Sequence, residues 1–188
     1  VVGTYYANPI NIPGVLCLPC DVLQKESVQF TLYRVKPDIT IYCVGLNSVV
    51  ECHERDNLAE ALNSSGMFNV TEMCQRYKSQ ICYISRDFVF SGEDKPYAEL
   101  DIPDPGTILG RSKTNAEFYV QKNSLNYMVF RMCHLYGRHL NPKRKTFFEK
   151  LQSNVTSQNI KIYDDYVYQG YLDINYVSMI IKMCIDRE

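Results

Sequence analysis

A six-residue run sets the tightest limit on how this chain folds. Pro37-Asp38 closes an amphipathic stretch, and Ile39-Thr40-Ile41-Tyr42-Cys43-Val44 follows as a nearly unbroken apolar segment. A strand with one wet face alternates polar and apolar residues; an unbroken apolar strand suits a parallel sheet covered on both faces. Parallel strands must be joined by crossovers, usually helices. The segment therefore predicts strand–helix alternation on either side of it.

That alternation is present. Val1–Tyr6 and Val15–Cys20 read as short strands, and Lys25–Val35 as a helix with Val28, Leu32 and Val35 at helical spacing. A long helix is predicted from Cys52 to Lys78, then a strand from Ile81 to Ser85, a helix from Arg111 to Lys122 and a strand from Asn126 to Met132. Pro142–Gln152 reads as a helix, Ile160–Tyr163 as a strand and Ile174–Cys184 as a closing helix. Loops rich in turn residues separate them, such as Ser91–Pro96 and Asp101–Gly106. Right-handed crossovers turn this order into an α/β doubly wound parallel sheet.

Bulk properties exclude several classes of function. Twenty basic and 21 acidic residues give a net charge of -1, which offers nothing to nucleic acid or to an anionic membrane. No apolar run reaches the ~18 residues that span a bilayer. The eight cysteines sit mostly in apolar stretches and read as free thiols of a reduced, cytoplasmic compartment. Cys17-Leu-Pro-Cys20 has redox spacing, but on a strand rather than at a helix start. The three histidines lack metal-ligand spacing, so no metal is expected.

Two segments carry the chemistry. Tyr83-Ile84-Ser85-Arg86-Asp87-Phe88-Val89-Phe90-Ser91-Gly92 and Leu109-Gly110-Arg111-Ser112-Lys113 resemble the active-site strand and catalytic-helix start of extended short-chain dehydrogenase/reductases. The branch they resemble is that of dTDP-4-dehydrorhamnose reductase, within the NAD-dependent epimerase/dehydratase superfamily. Asn63-Ser64-Ser65-Gly66, Lys95-Pro96-Tyr97-Ala98-Glu99, and Arg131 with Tyr136-Gly137 extend the resemblance in the same order. It implies a Rossmann-like NAD(P)-binding domain over 1–188, with parts of a substrate-binding lobe in 134–188. The family's first strand and its Gly-x-x-Gly-x-x-Gly loop have no counterpart here. The expectation is that the chain opens at the family's second strand, as a piece of a longer protein.

The resemblance further implies NAD or NADP as cofactor and a nucleotide sugar as substrate, its 4-keto group being reduced. A Tyr would donate the proton, a Lys one turn later would lower the Tyr pKa and hold the nicotinamide ribose, and a Ser or Thr would bond the same oxygen. The catalytic positions fall on Leu109, Lys113 and Arg86. Only the lysine is kept. Leucine has no proton to give, and arginine holds its proton too tightly. Cofactor contacts are expected from Tyr5, Asp21, Val22, Cys43, Val44, Gly45 and Lys113, and substrate contacts from Asp87, Arg131 and Tyr136.

These replacements imply a degenerate nucleotide-sugar-binding protein in which dinucleotide affinity is kept or lost. One alternative is an active reductase or epimerase whose proton comes from Tyr136, Tyr97 or water. Another is a non-catalytic regulatory subunit with a protein partner, as in the β subunit of methionine adenosyltransferase. A homodimer is compatible with each.

Overall fold

The structure, a computed structural model, describes residues 1–93, 95–138, 145–157 and 170–187. It divides into two units, Val1–Arg131 and Met132–Glu188.

In the first unit, β1 (Val2–Tyr5) pairs in parallel with β2 (Leu16–Pro19), Val2 opposite Leu16 and Tyr5 opposite Pro19. Helix α1 (Lys25–Val35) stops where Lys36 turns left-handed and returns its N–H to the Leu32 carbonyl. Strand β3 (Ile39–Tyr42) pairs in parallel with β4 (Gln80–Arg86), Ile39 opposite Gln80 and Tyr42 opposite Tyr83. β5 (Tyr127–Met132) adjoins β4 on its other side. The parallel, α/β character inferred from the apolar hexapeptide is what the fold has.

Among the described residues no ladder joins β1–β2 to β3–β4–β5. Among the described residues, β1 pairs with β2 alone and β3 with β4 alone. The Ile39–Val44 run is accordingly less covered than its composition predicts. Tyr42 is buried, but Ile41 remains 46% exposed.

The core lies where α1, α4 (Gly66–Tyr77) and α5 (Ile108–Asn123) meet one face of β3 and β4. Val28 and Leu32 from α1, Met67, Val70 and Met73 from α4, Ala116 and Val120 from α5, and Tyr42, Ile81 and Tyr83 from the strands form one buried cluster. Polar ties reinforce it: Asn69 Nδ2 donates to the Val22 carbonyl at 2.9 Å, and Lys25 pairs with Glu72.

The long helix expected from Cys52 to Lys78 is segmented. It comprises α2 (Val49–Glu54), α3 (Asp56–Glu60), a π-helical turn (Ala61–Ser65) and α4. Arg55 leaves helical geometry between the first two pieces. The π turn has a structural reason. Its widened winding leaves the Leu62 carbonyl to accept the Tyr42 hydroxyl at 2.7 Å, and turns Asn63 and Ser64 together toward α5. Apolar periodicity is insensitive to such a one-residue insertion.

The second unit contains β6 (His134–Tyr136) paired in parallel with β7 (Tyr171–Asp173), α6 (Phe147–Thr156) and α7 (Ile174–Ile185). Thr146 and Glu149 form a reciprocal capping box on α6, and Asp173 caps α7. The expected strand Ile160–Tyr163 lies outside the described residues, and β6 and β7, three residues each, are too short for periodicity to reveal.

Candidate functional site

The site is assembled where β3 and β4 end beside the first turns of α5. Thr107 caps α5, its Oγ1 accepting the Gly110 N–H at 3.0 Å. Gly110 lets the helix press against the 3-10 turn Asp87–Val89, for a Cβ there would stand 2.0 Å from the Phe88 carbonyl oxygen. This contact fixes the height of α5 against the end of β4. Lys113 then comes to lie with Nζ 5.3 Å from the centre of the Tyr83 ring.

Lys113 is 2% exposed. Among the described residues it makes no hydrogen bond and no ion pair. Burial lowers its pKa to about 8; the Arg86 charge pushes the same way, and Cys43, Cys52 and Glu117 oppose it. On β3's side, Gly45 adopts φ +147, a conformation that side chains rarely tolerate. A Cβ at Gly45 would lie 2.1 Å from Asn63 Oδ1 and 3.2 Å from Lys113 Nζ, so the bare backbone is required. Asn63 Nδ2 donates to the Leu46 carbonyl at 3.1 Å and to Ser112 Oγ at 2.9 Å, and Ser64 Oγ donates to the Ser112 carbonyl at 2.8 Å. The loop after β3, the π turn and α5 are locked together by this buried net.

Among the described residues, several buried polar atoms of β4, the turn after it and the π turn are left without hydrogen bonds: Tyr83 Oη, Ser85 Oγ, Asn63 Oδ1, Arg86 Nε and Asp87 Oδ1. Native structures seldom leave such atoms unsatisfied, and they gather where function needs them. Arg86 Nε faces Asp87 Oδ1 at 3.6 Å, an ion pair outside hydrogen-bond reach, and its guanidinium lies 5.6 Å from the Phe88 ring centre. Burial raises the Tyr83 hydroxyl pKa well above that of a free tyrosine, with Glu117 and Tyr42 adding to the rise. It therefore keeps its proton.

Leu109 precedes Lys113 by one turn and is fully buried. It packs with Cys52 and Ala59 in an apolar cluster that Leu46, Val49, Phe88 and Ile108 flank.

The remaining expected residues occupy varied places. Cys43 is exposed at the end of β3, close enough to Lys113 for the two to influence each other's titration. Val44 packs on the main core. Tyr5 ends β1, its carbonyl accepting from the Cys20 N–H at 2.8 Å. Asp21 Oδ1 accepts the Leu23 N–H at 2.9 Å, closing a turn ahead of α1 rather than capping it; the cap position is Gln24. Val22 packs against the core beneath α4. Tyr97 has its hydroxyl engaged by the Gly92 and Glu93 N–H groups at 3.2 and 2.8 Å. Tyr136 belongs to the second unit, stacked on Phe148 with ring centres 5.4 Å apart.

Arg131 is fully engaged. Its Nε and Nη2 both reach Glu117 Oε2, at 3.0 and 2.8 Å, Nη1 donates to the Glu99 carbonyl at 3.2 Å, and the group lies over the Phe90 ring. Glu117 is the residue the sequence reading missed. It follows Lys113 by four positions and Leu109 by eight, so helical spacing alone places it on their face.

Comparison with known proteins gives this geometry a lineage. Residues 7–169 match the RmlD substrate binding domain family. The chain is 31% identical over 145 residues to methionine adenosyltransferase 2 subunit beta of Bos taurus, a match covering 74% of this chain and 43% of that protein. It thus spans less than half the length of that relative. It resembles the dTDP-4-dehydrorhamnose reductase of Bacillus anthracis solved with NADP (28% identity, TM-score 0.69, covering 77% of this chain and 51% of that one). At the level of fold it resembles Bordetella bronchiseptica WbmG solved with NAD and UDP (13% identity, TM-score 0.79, covering 96% and 58%). With residues 7–169 matched and the parallel fold shared, the chain belongs to the RmlD substrate-binding-domain family, the family of dTDP-4-dehydrorhamnose reductase.

Proposed function

We propose that this protein is a nucleotide-sugar-reductase-like binding protein that has given up ordinary reductase catalysis. One observation carries the reading: the position of the proton donor is held by Leu109, sealed in hydrocarbon one turn before a retained Lys113. Loss of a positioned general acid costs about two to four orders of magnitude in rate. Arg86 at the hydroxyl position does not replace it, since a guanidinium stays protonated.

Cofactor binding is read more narrowly. The NAD- and NADP-bound neighbours support a nicotinamide dinucleotide as the ligand class. Lys113 and the backbone of Cys43–Gly45 are the groups that would hold the nicotinamide ribose, and the unsatisfied polar atoms at this strand end fit a polar ligand there. No Gly-x-x-Gly-x-x-Gly run occurs in this sequence to cradle a pyrophosphate. The second unit is read as part of a substrate-binding lobe.

The test is NAD(P)H oxidation by the full-length protein with a 4-keto-deoxysugar nucleotide. Turnover far below the common range of about 1–1000 per second is expected, and a rate inside that range overturns the reading. Introducing Leu109→Tyr with Arg86→Thr is expected to raise the residual rate.

A second reading is favoured by the similarity to the methionine adenosyltransferase β subunits. On it, the chain regulates an enzyme through protein contact. Purification with a methionine adenosyltransferase catalytic subunit supports it; failure of the two to associate at micromolar concentration removes it.

A further inference from the structure

Cationic side chains that are buried normally sit against a carboxylate or a full set of acceptors. Lys113 has neither. The one buried carboxylate on its own helix face, Glu117, is committed to Arg131 through Oε2 at 2.8 Å and further bonds from Nε. Arg86, the second cation felt at Lys113, has a 15% exposed side chain whose only anionic contact among the described residues is the 3.6 Å approach of Asp87, itself 39% exposed. Among the described residues neither terminal nitrogen of Arg86 donates a hydrogen bond. The two cations lie beside the same short stretch of chain. Tyr83, three positions before Arg86, carries Lys113 over its ring, and Phe88, two positions after it, touches α5 at Gly110, three positions before Lys113. Tyr83 Oη and Ser85 Oγ add two buried hydroxyls without partners on the same strand.

Two cations at this strand end thus face one carboxylate, the partly exposed Asp87, and positive charge is in excess there. A neutral carbonyl does not balance it. We infer that the Lys113–Arg86 pair at the end of β4 binds an anionic group, a carboxylate or a phosphate, in place of the uncharged carbonyl of a sugar substrate. Such a group accepts from both cations and supplies the charge that the interior lacks. The inference rests on the loss of reductase chemistry proposed above and specifies what the altered site accepts instead.

The experiment follows the thermal unfolding of the full-length protein as inorganic phosphate, and separately acetate, replaces chloride at constant ionic strength. A saturable rise in the midpoint is expected with at least one of the two anions, and which one responds identifies the source. Lys113→Met and Arg86→Thr are each expected to weaken the apparent affinity by about tenfold or more, as loss of one charge-assisted hydrogen bond does. Phosphorus-31 line broadening of phosphate, lost in both variants, provides a readout independent of stability. Equal responses in the wild type and both variants, or no response to either anion, overturn the site. Those outcomes leave the reading of lost catalysis untouched. Conversely, reductase turnover alongside an intact anion response overturns that reading and keeps the site.

Discussion

Lys113 is an interior amine whose charge the fold does not compensate, and its titration is a stability statement. Its folded pKa, about 8, lies below the ordinary 10.5. Between those values the unfolded chain binds a proton that the folded chain does not, so this group's contribution to stability rises with pH across that window. The whole effect amounts to roughly 3 kcal/mol. Lys113→Met should therefore stabilise the protein near neutrality by up to that amount, and the advantage should shrink as pH climbs from about 8 to 10.5. Urea titrations of both proteins across the range check this through their difference, because the upward shifts of Tyr42, Tyr83 and Cys74 are common to both. Parallel curves would refute it. Gly45 gives a second residue-scale prediction. Gly45→Ala places a Cβ into Asn63 Oδ1 on a backbone that L residues avoid, and should cost about 2–4 kcal/mol. A loss too small to resolve in the denaturation midpoint would show that the loop yields.

Helix α5 organises the site because one of its faces carries Leu109, Lys113 and Glu117 in succession. Glu117→Gln leaves the Arg131 guanidinium short of its counter-charge and should lower stability by about 3–5 kcal/mol. Removing both charges with Arg131→Met in addition should recover a large part of that. A double variant no better than the single one would mean that the pair is not coupled. Much of this helix was legible beforehand: the Leu109-to-Lys113 interval gives its register, and the Thr107 cap extends it three residues ahead of the Arg111 start read from sequence. Arg131 was legible only as an expected substrate contact, since its partner Glu117 becomes a neighbour only when β5 and α5 meet. The π turn was invisible for another reason. Leu58, Leu62, Met67 and Val70 keep an acceptable helical rhythm across it, and the demand for the extra residue comes from Tyr42 and Ser112, distant in sequence. Parallel strands were readable because Ile39–Val44 leaves no polar face. That Ile41 stays exposed was not readable, for apolar content reports what a strand is suited to bury and not what lies beside it.

At the scale of the whole first unit, the two separate ladders govern behaviour in solution. A strand with an open edge and exposed apolar side chains is a template for another chain. Ile41 at 46% exposure and Leu16 at 60% mark β3 and β2 in this way. Ile41→Lys should reduce light scattering by concentrated samples of this 188-residue chain while changing folding stability by no more than about 0.5 kcal/mol, as exposed substitutions do. Unchanged scattering would place self-association elsewhere. The division also gives the unit a fault line. Since β1–β2 is tied to the remainder by the packing of α1 on α4, the Asn69–Val22 bond and the Lys25–Glu72 pair, it can peel away without breaking any rung of the β3–β4 ladder. Amide protons of Gly3–Tyr5 and Cys17–Leu18 should then exchange with solvent through a shallower opening than those of Thr40–Tyr42 and Ile81–Tyr83. A ligand that spans both pieces would act as a rivet, slowing the first set selectively.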